Sequence, residues 1–161
     1  MINKSLFSSK NQTWETPKEF FDNLNSVFNF TLDVCAVPET AKCKNYFTPE
    51  IDGLAQSWSG NICWMNPPYG REQVKWIEKA AKESLNGATV VCLIPARPDT
   101  KAWQNIIFPN ANVVCFVKGR LKFGGSKDSA PFPSAVVVFG DELTVNQEDL
   151  LKSIGTLVTV S

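Results

Sequence analysis

The feature that most constrains the fold is an apolar run that ends abruptly in an asparagine and two prolines. The stretch reads Trp64-Met65-Asn66-Pro67-Pro68-Tyr69-Gly70, and a helix-like segment follows it. Proline fixes φ and has no N–H, so neither a strand ladder nor a helix continues through this pair. The pattern predicts a buried strand, a rigid loop and then a helix. In open α/β sheets, ligands bind where such strands end.

Apolar runs and helical periodicity alternate along the whole chain. Helices are predicted at about residues 17–28, 71–86, 100–108 and 146–153. Strands are predicted at about residues 30–36, 62–65, 88–94, 112–117, 134–139 and 156–160, with a further short one compatible with residues 42–47. This alternation predicts a three-layer α/β domain with a mostly parallel sheet flanked by helices. The close spacing of the 112–117 and 134–139 runs allows an antiparallel strand pair at one end of the sheet.

The first helix has a clear predicted start. Thr16 occupies the expected N-cap position, Pro17 the first helical position, and Glu19 lies three residues after the cap. The residues before it, 1–13, are polar and lack periodicity, so we expect a partly ordered arm there.

Length and composition fit one domain over residues 1–161. Hydrophobic residues make up 43% and charged residues 20%, as in ordinary globular proteins. The formal net charge is zero, so global charge argues neither for nor against a nucleic-acid partner. Five cysteines form no CxxC pair and histidine is absent, which predicts no metal site. Without a membrane-length apolar run or a leader, we expect a cytoplasmic protein with no membrane partner.

The Asn66-Pro67-Pro68-Tyr69 string, between a strand and a helix, resembles the catalytic motif of the amino methyltransferases, which use S-adenosylmethionine (SAM). An exocyclic amine is a poor nucleophile because its lone pair is delocalised into the ring. Two acceptors aimed at its N–H bonds, the Asn66 side-chain oxygen and the Pro67 carbonyl, favour a more tetrahedral nitrogen. The Tyr69 ring would stack on an extruded base. The simpler interpretation is a proline turn.

More of the chain supports a narrower resemblance. Over about residues 14–139 it resembles the small phage and prophage DNA N6-adenine methyltransferases of the Dam type. The matching blocks are Trp14-x-Thr16-Pro17, Leu32-Asp33-Val34-Cys35-Ala36, Asp52-Gly53-Leu54, the stretch from Trp64 to Gly70, Pro95-Ala96-Arg97, and Gly119-Arg120-Leu121-Lys122-Phe123. The resemblance implies a Rossmann-like methyltransferase fold, SAM as methyl donor and double-stranded DNA as partner. A phage-encoded member would work in the host bacterial cytoplasm.

The same resemblance implies a set of cofactor residues. Thr16 and Pro17 match the block that holds the methionine end of SAM, and Asp33 matches the carboxylate that accepts from the SAM ammonium. Asp52 matches the carboxylate near the adenine amino group of SAM. Ala36 stands where relatives have a glycine, because the loop at residues 33–38 contains none. The ribose-binding acid has no clear match, and Glu39 is the candidate.

A locally basic segment is the candidate DNA-binding surface. Between residues 97 and 127 the only acid is Asp99, whereas the basic residues number six. Phosphate contacts would give salt-dependent affinity, although a solvated loop is the simpler interpretation. The residues expected to contact DNA are Arg97, Lys118, Arg120 and Lys122.

Two other functions stay open on the motif alone. The same residues suit another planar amine or amide, such as guanine in RNA or a glutamine side chain in a protein. The missing loop glycine also leaves room for a non-catalytic nucleic-acid-binding module. The flanking blocks favour adenine in DNA, whereas the recognition sequence and the oligomeric state are left open.

Overall fold

A mixed sheet organises the chain. The structure, a computed structural model, describes residues 14–125 and 128–161, so the predicted arm at residues 1–13 lies outside it. Within the described residues one sheet contains the strands β1 (Leu32–Asp33), β2 (Ile62–Met65), β3 (Thr89–Pro95), β4 (Val113–Val117), β5 (Ser134–Phe139) and β6 (Gly155–Thr159). Their order across the sheet is β1-β2-β3-β5-β4-β6.

The strand directions correct the prediction of a mostly parallel sheet. β1–β2 and β2–β3 pair in parallel, but β3–β5, β5–β4 and β4–β6 pair antiparallel. The reason is that β5 turns back after β4 and inserts between β4 and β3. The sequence of a strand that is buried on both faces does not indicate whether the neighbouring strands are parallel or antiparallel to it. The predicted antiparallel pairing of the 112–117 and 134–139 strands is confirmed.

The mixed pairing nevertheless leaves four strands pointing the same way. β1, β2 and β3 are mutually parallel, and β4 shares their direction because β5 is antiparallel to both β3 and β4. The carboxyl ends of these four strands therefore meet at one edge of the sheet. The asparagine–proline loop after β2 and the basic segments after β3 and β4 all begin at that edge.

Helices cover both faces of the sheet, which confirms the three layers. They are α1 (Lys18–Phe28), α2 (Gln73–Ser84), a π-helical segment (Trp103–Ile107) continued by α3 (Phe108–Asn110), and α4 (Val145–Ile154). α2 and the π-helical segment pack on one face, through residues such as Ile77 and Trp103. α1 and α4 pack on the other, through residues such as Leu24 and Leu151. Within residues 14–125 and 128–161, no helix is long and apolar enough to span a bilayer.

The start of α1 differs from the prediction. Pro17, not Thr16, holds the N-cap position, and no side chain caps the helix. Thr16 is instead buried, and its hydroxyl oxygen accepts a hydrogen bond from the Asn66 side chain. A sequence pattern that is typical of a helix cap is therefore used for a tertiary contact.

The predicted strand at residues 30–36 is also shorter than expected. It is regular only over β1, because the Asp33 carboxylate accepts from the Cys35 and Lys42 N–H groups and turns the chain out of the sheet. The compatible strand at residues 42–47 reduces to one isolated bridge between Asp33 and Tyr46. Asp33 is therefore the last residue of β1, paired with Trp64 on one side and bridged to Tyr46 on the other.

The cysteines are free thiols held inside the fold. Cys63, Cys92 and Cys115 are buried, and Cys35 and Cys43 are partly buried. Burial raises the pKa of Cys63 to about 12 and that of Cys115 to about 11, so both stay protonated and unreactive at neutral pH. No group of three or more cysteine, aspartate or glutamate side chains in the described ranges is arranged to hold a metal ion.

Candidate active site at the carboxyl edge of the sheet

The loop after β2 is rigid at both ends. Trp64 and Met65 before it are buried in the two opposite cores, and Pro67 within it is buried too. Gly70 has a φ of 99°, a conformation that favours glycine, and its carbonyl accepts from the Gln73 N–H at 3.2 Å as α2 begins. The loop is therefore held between a central strand and the start of a helix.

The Asn66 side chain is held in one orientation. Its Nδ2 donates to the Trp14 carbonyl and, at 3.0 Å, to the Thr16 hydroxyl. A carbonyl only accepts, so the amide nitrogen must face Trp14 and the amide oxygen must face away. That oxygen, Oδ1, is buried and has no hydrogen-bond partner among the described residues. An unpaired buried acceptor costs roughly 1–3 kcal/mol, and this indicates a donor that arrives with a ligand.

Three other buried polar atoms lack partners in the described part of the chain, and they lie at the same edge. They are the Tyr69 hydroxyl, Gln73 Nε2 and Ser134 Oγ. Tyr69 and Gln73 come three and seven residues after Asn66 in the chain. Ser134 is the first residue of β5 and pairs with Pro95, the last residue of β3. The unpaired buried groups therefore concentrate where the fold predicts a ligand.

A cleft of about 320 Å³ lies on one side of the loop, and we name it the cofactor-side cleft. Its lining includes Ala36, Asp52, Asn66 and Pro68. A smaller cavity of about 40 Å³ shares Cys35, Thr40 and Asn66 with it and adds Thr16 and Asp33. Pro17 adjoins this cavity in sequence without lining it, and Glu39 is exposed and lines neither space. Four predicted cofactor residues are thus brought together with Asn66.

Asp33 is the buried carboxylate of this region, with 3% of its surface exposed. Burial raises the pKa of the Asp33 carboxyl to about 6, against the lowering effect of hydrogen bonds from the Lys42 and Cys35 N–H groups. A positively charged ligand group beside it would favour the ionised form.

The turn at Asp52 is shaped by close packing. Asp52 has a φ of 62°, and its Oδ1 accepts from the Leu54 N–H at 3.2 Å. A Cβ on Gly53 would lie 2.2 Å from the Val34 carbonyl oxygen, so only glycine fits there. The close approach of Gly53 to the end of β1 sets the exposed Asp52 carboxylate at the cofactor-side cleft.

A larger cleft of about 550 Å³ lies on the other side of the loop, and we name it the base-side cleft. Tyr69, Trp14 and Phe132 contribute aromatic rings to its lining, with Gln73 and Arg97 as polar members. The Tyr69 ring centroid lies 5.3 Å from that of Phe132 at an interplanar angle of 71°, and Trp14 meets Phe132 edge-on at 5.4 Å. Burial raises the pKa of the Tyr69 hydroxyl, which stays neutral.

The predicted DNA-binding residues fall into two groups. Arg97, together with Arg71, lines the base-side cleft. Lys118, Arg120 and Lys122 are exposed on the loop that follows β4 at the same edge, outside that lining. The loop contacts the segment that precedes α1, because the Gly124 N–H donates to the Glu15 carbonyl at 2.9 Å.

Sequence reasoning missed the aromatic wall and the polar atoms beside it. Phe132 and Ser134 belong to apolar or turn-like surroundings and carried no signal in the sequence. Trp14 begins the Trp14-x-Thr16-Pro17 block of the family resemblance, but that block assigns no role to its ring. Gln73 is a polar residue in the first turn of α2, where an exposed position is ordinary, so only its unpaired Nε2 distinguishes it.

Comparison with known proteins tests the family resemblance directly. The family model described as DNA N-6-adenine-methyltransferase (Dam) matches residues 4–153. The chain belongs to this family. A DNA N-6-adenine-methyltransferase of Haemophilus phage HP1 (strain HP1c1) is 31% identical over 147 residues, which cover 86% of this chain and 84% of the relative. The "Putative methyltransferase YfdM" of Escherichia coli (strain K12) is 36% identical over 63 residues, covering 35% of this chain and 69% of the relative.

The match extends well beyond the asparagine–proline loop. It spans both clefts, the five strands β1 to β5, and the loop after β4, whereas β6 lies outside it. The resemblance drawn from the sequence is therefore confirmed. The Dam family assignment also separates this chain from amino methyltransferases with other acceptors, which the four-residue motif alone did not do.

Proposed function

We propose that this chain, as one domain, transfers the methyl group of SAM to the N6 amino group of adenine in double-stranded DNA. The observation that carries the proposal is Asn66 Oδ1, which lines the cofactor-side cleft, is buried, and has no partner within residues 14–125 and 128–161. An acceptor held in that way needs an N–H from a ligand. The Dam family membership supports adenine as the source of that N–H. A Rossmann-like fold is in keeping with four codirectional strands covered by helices on both faces.

The residues of the cofactor-side cleft fit SAM. The cofactor supplies an electrophilic methyl group on a sulfonium. The buried Asp33 carboxylate suits its ammonium, with Thr16 and Pro17 close by in sequence and Thr16 in the same small cavity. Asp52 and Ala36 line the larger part and suit the nucleoside end. The ribose role of Glu39 stays a prediction, although its neighbour Thr40 lines the cleft.

The chain's own groups provide positioning and fixed dipoles. Asn66 Oδ1 and the Pro67 carbonyl would accept from the two N–H bonds of the amine, which turns the nitrogen lone pair toward the methyl group. Tyr69 would stack on the extruded base inside the base-side cleft, and base–aromatic stacking is worth roughly 1–3 kcal/mol. A strong base is not needed for this chemistry.

The positive groups at the carboxyl edge suit the DNA backbone. Arg97 lies at the base-side cleft, and Lys118, Arg120 and Lys122 are exposed on the neighbouring loop. Such contacts position the duplex without reading its sequence, and their contribution weakens as salt rises. We propose that these four residues bind phosphates on either side of the extruded adenine.

The deciding experiment is incubation of the protein with labelled SAM and unmethylated duplex DNA, followed by nucleoside analysis. Label in N6-methyladenine supports the proposal. Label that enters only RNA or a protein acceptor would show that the protein methylates a different planar amine or amide. Absence of SAM binding in calorimetry, with DNA binding retained, would instead make the chain a non-catalytic nucleic-acid-binding module.

Replacing Thr16 with valine tests how Asn66 is oriented. The variant loses the hydroxyl that accepts from Asn66 Nδ2. We expect kcat to fall about five- to tenfold, because one neutral hydrogen bond is worth roughly 1 kcal/mol. Thr16→Ser, which keeps the hydroxyl, should restore most of the rate. A raised Kd for SAM with kcat unchanged would place Thr16 in cofactor binding instead.

SAM affinity should depend on pH through Asp33. Its pKa of about 6 in the free protein means that the carboxylate is mostly ionised at pH 7 and mostly protonated at pH 5. Because only the ionised form attracts an ammonium, we expect the Kd for SAM to rise about tenfold from pH 7 to pH 5. Calorimetry at several pH values measures this. Asp33→Asn should bind SAM weakly throughout and lose the pH dependence; a variant that keeps it would exclude Asp33 as the source.

A further inference from the structure

Gln73 carries a buried donor that the proposed chemistry does not use. Its Nε2 has no hydrogen-bond partner among the described residues, and the side chain lines the base-side cleft with Tyr69. The residue opens α2, and its backbone N–H is already bonded to the Gly70 carbonyl. The helix start therefore holds the side chain beside the rigid loop, where an unpaired amide donor is costly without a ligand.

The structure leaves an acceptor, Asn66 Oδ1 at the cofactor-side cleft, and a donor, Gln73 Nε2 at the base-side cleft, without partners among the described residues. Asn66 Oδ1 only accepts, and Gln73 Nε2 only donates. Adenine presents the complementary pair, because its amino group lies next to ring nitrogens that accept, N1 on one edge and N7 on the other. Guanine and thymine carry an acceptor oxygen where adenine carries its amine, so they meet Asn66 with the wrong polarity. Cytosine resembles adenine on its pairing edge, but lacks N7.

We infer that Gln73 is a specificity-determining residue that donates a hydrogen bond from Nε2 to a ring nitrogen of the target adenine. The inference rests on the proposed adenine methylation. The two N–H bonds of the amine are taken by Asn66 and Pro67 in that mechanism, so the ring nitrogens are the acceptors left for Gln73. The Tyr69 hydroxyl also lacks a partner among the described residues, and since it serves as donor or acceptor we assign it to no single ring nitrogen.

The test pairs a protein variant with altered substrates. The methylated position is first mapped with the wild-type protein, and duplexes are then made with 7-deazaadenine or 1-deazaadenine at that position. Gln73→Leu keeps the size and removes the donor. Lys75→Leu is the matched control, since Lys75 is exposed on the same helix and its Nζ pairs with Glu72. Single-turnover rates and kcat/KM are measured for each combination.

We expect Gln73→Leu to lower kcat/KM for adenine by roughly ten- to a hundredfold, as for a buried donor removed from its partner. The wild-type protein should lose a similar factor with one deaza base, and the variant should not distinguish that base from adenine. If 7-deazaadenine gives this result, Gln73 binds N7, and if 1-deazaadenine gives it, Gln73 binds N1. Lys75→Leu should behave as wild type.

Two results would overturn the inference. One is a Gln73→Leu variant with normal kcat/KM on adenine. The other is a Gln73→Leu variant whose kcat/KM falls with each deaza base by the same factor as that of the wild-type protein. Gln73→Met, matched in length, replaces the leucine variant if that variant has a lowered Tm or SAM affinity. Wild-type protein that transfers no methyl group to DNA would be a separate result, since it would overturn the proposed function itself.

Discussion

Asn66→Ala should reduce methyl transfer by about 10²–10³-fold, the size expected when one fixed dipole is removed from a reacting centre. The loss should fall on kcat, because the amide oxygen acts on the amine as its nitrogen changes geometry. SAM binding should be retained, since Asp52 in the cofactor-side cleft and Asp33 in the smaller cavity are untouched. Single-turnover methylation together with calorimetry of SAM binding measures both quantities.

Two companion variants sharpen this result. Asn66→Asp replaces the Nδ2 donor with an oxygen that faces the Trp14 carbonyl, so it should be about as damaging as alanine. Asn105→Ala, at an exposed asparagine on the π-helical segment, should leave the rate unchanged. If Asn66→Ala methylates DNA at the wild-type rate, the catalytic role given to this residue is wrong.

Tyr69→Ala should lower kcat/KM by about ten- to a hundredfold, because base–aromatic stacking contributes roughly 1–3 kcal/mol. The ring is 7% exposed and packs against Phe132, so its removal should also destabilise the fold by about 3–5 kcal/mol. Thermal unfolding therefore accompanies the kinetics. Fluorescence of 2-aminopurine placed at the target position reports base extrusion, and it should rise less with the variant than with wild type.

Tyr69→Phe separates the contribution of the ring from that of the hydroxyl. The hydroxyl is unpaired among the described residues, and phenylalanine keeps the ring and its contacts. This variant should retain near wild-type stability and most of the activity. A Tyr69→Phe variant as inactive as Tyr69→Ala would show that the hydroxyl, rather than stacking, is what the reaction needs.

The loop after β2 was predictable because its signals are local. Two prolines stop regular structure wherever they occur, and the apolar run before them buries itself in almost any core. The ends of α2 and of β3, β4 and β5 follow from similar local patterns, and the structure places them within a few residues of the prediction. Asp33 and Asp52 were assigned through the family resemblance, and each lines a cavity that Asn66 also lines.

The pairing of the strands and the wall of the base-side cleft were not predictable in the same way. β5 lies between β3 and β4, so Phe132 and Ser134 arrive at the active-site edge from a segment more than sixty residues after Asn66. Thr16 looks like a helix cap in the sequence, yet it bonds to Asn66 across 50 residues. Contacts of this kind join residues that are far apart in the sequence. Local sequence patterns do not show which distant segments will become neighbours in the fold.

The sequence by itself determined that residues 66–69 form a rigid turn of a kind suited to an amino nitrogen, because proline geometry and side-chain chemistry act locally. Only the tertiary structure decided which way the Asn66 amide faces, since the Trp14 carbonyl that orients it belongs to a distant segment. The structure also left a second buried side-chain atom, Gln73 Nε2 at the base-side cleft, without a partner among the described residues. Hydrogen-bond partners depend on three-dimensional proximity. Only the folded structure therefore shows which donors and acceptors of the site are left for a ligand.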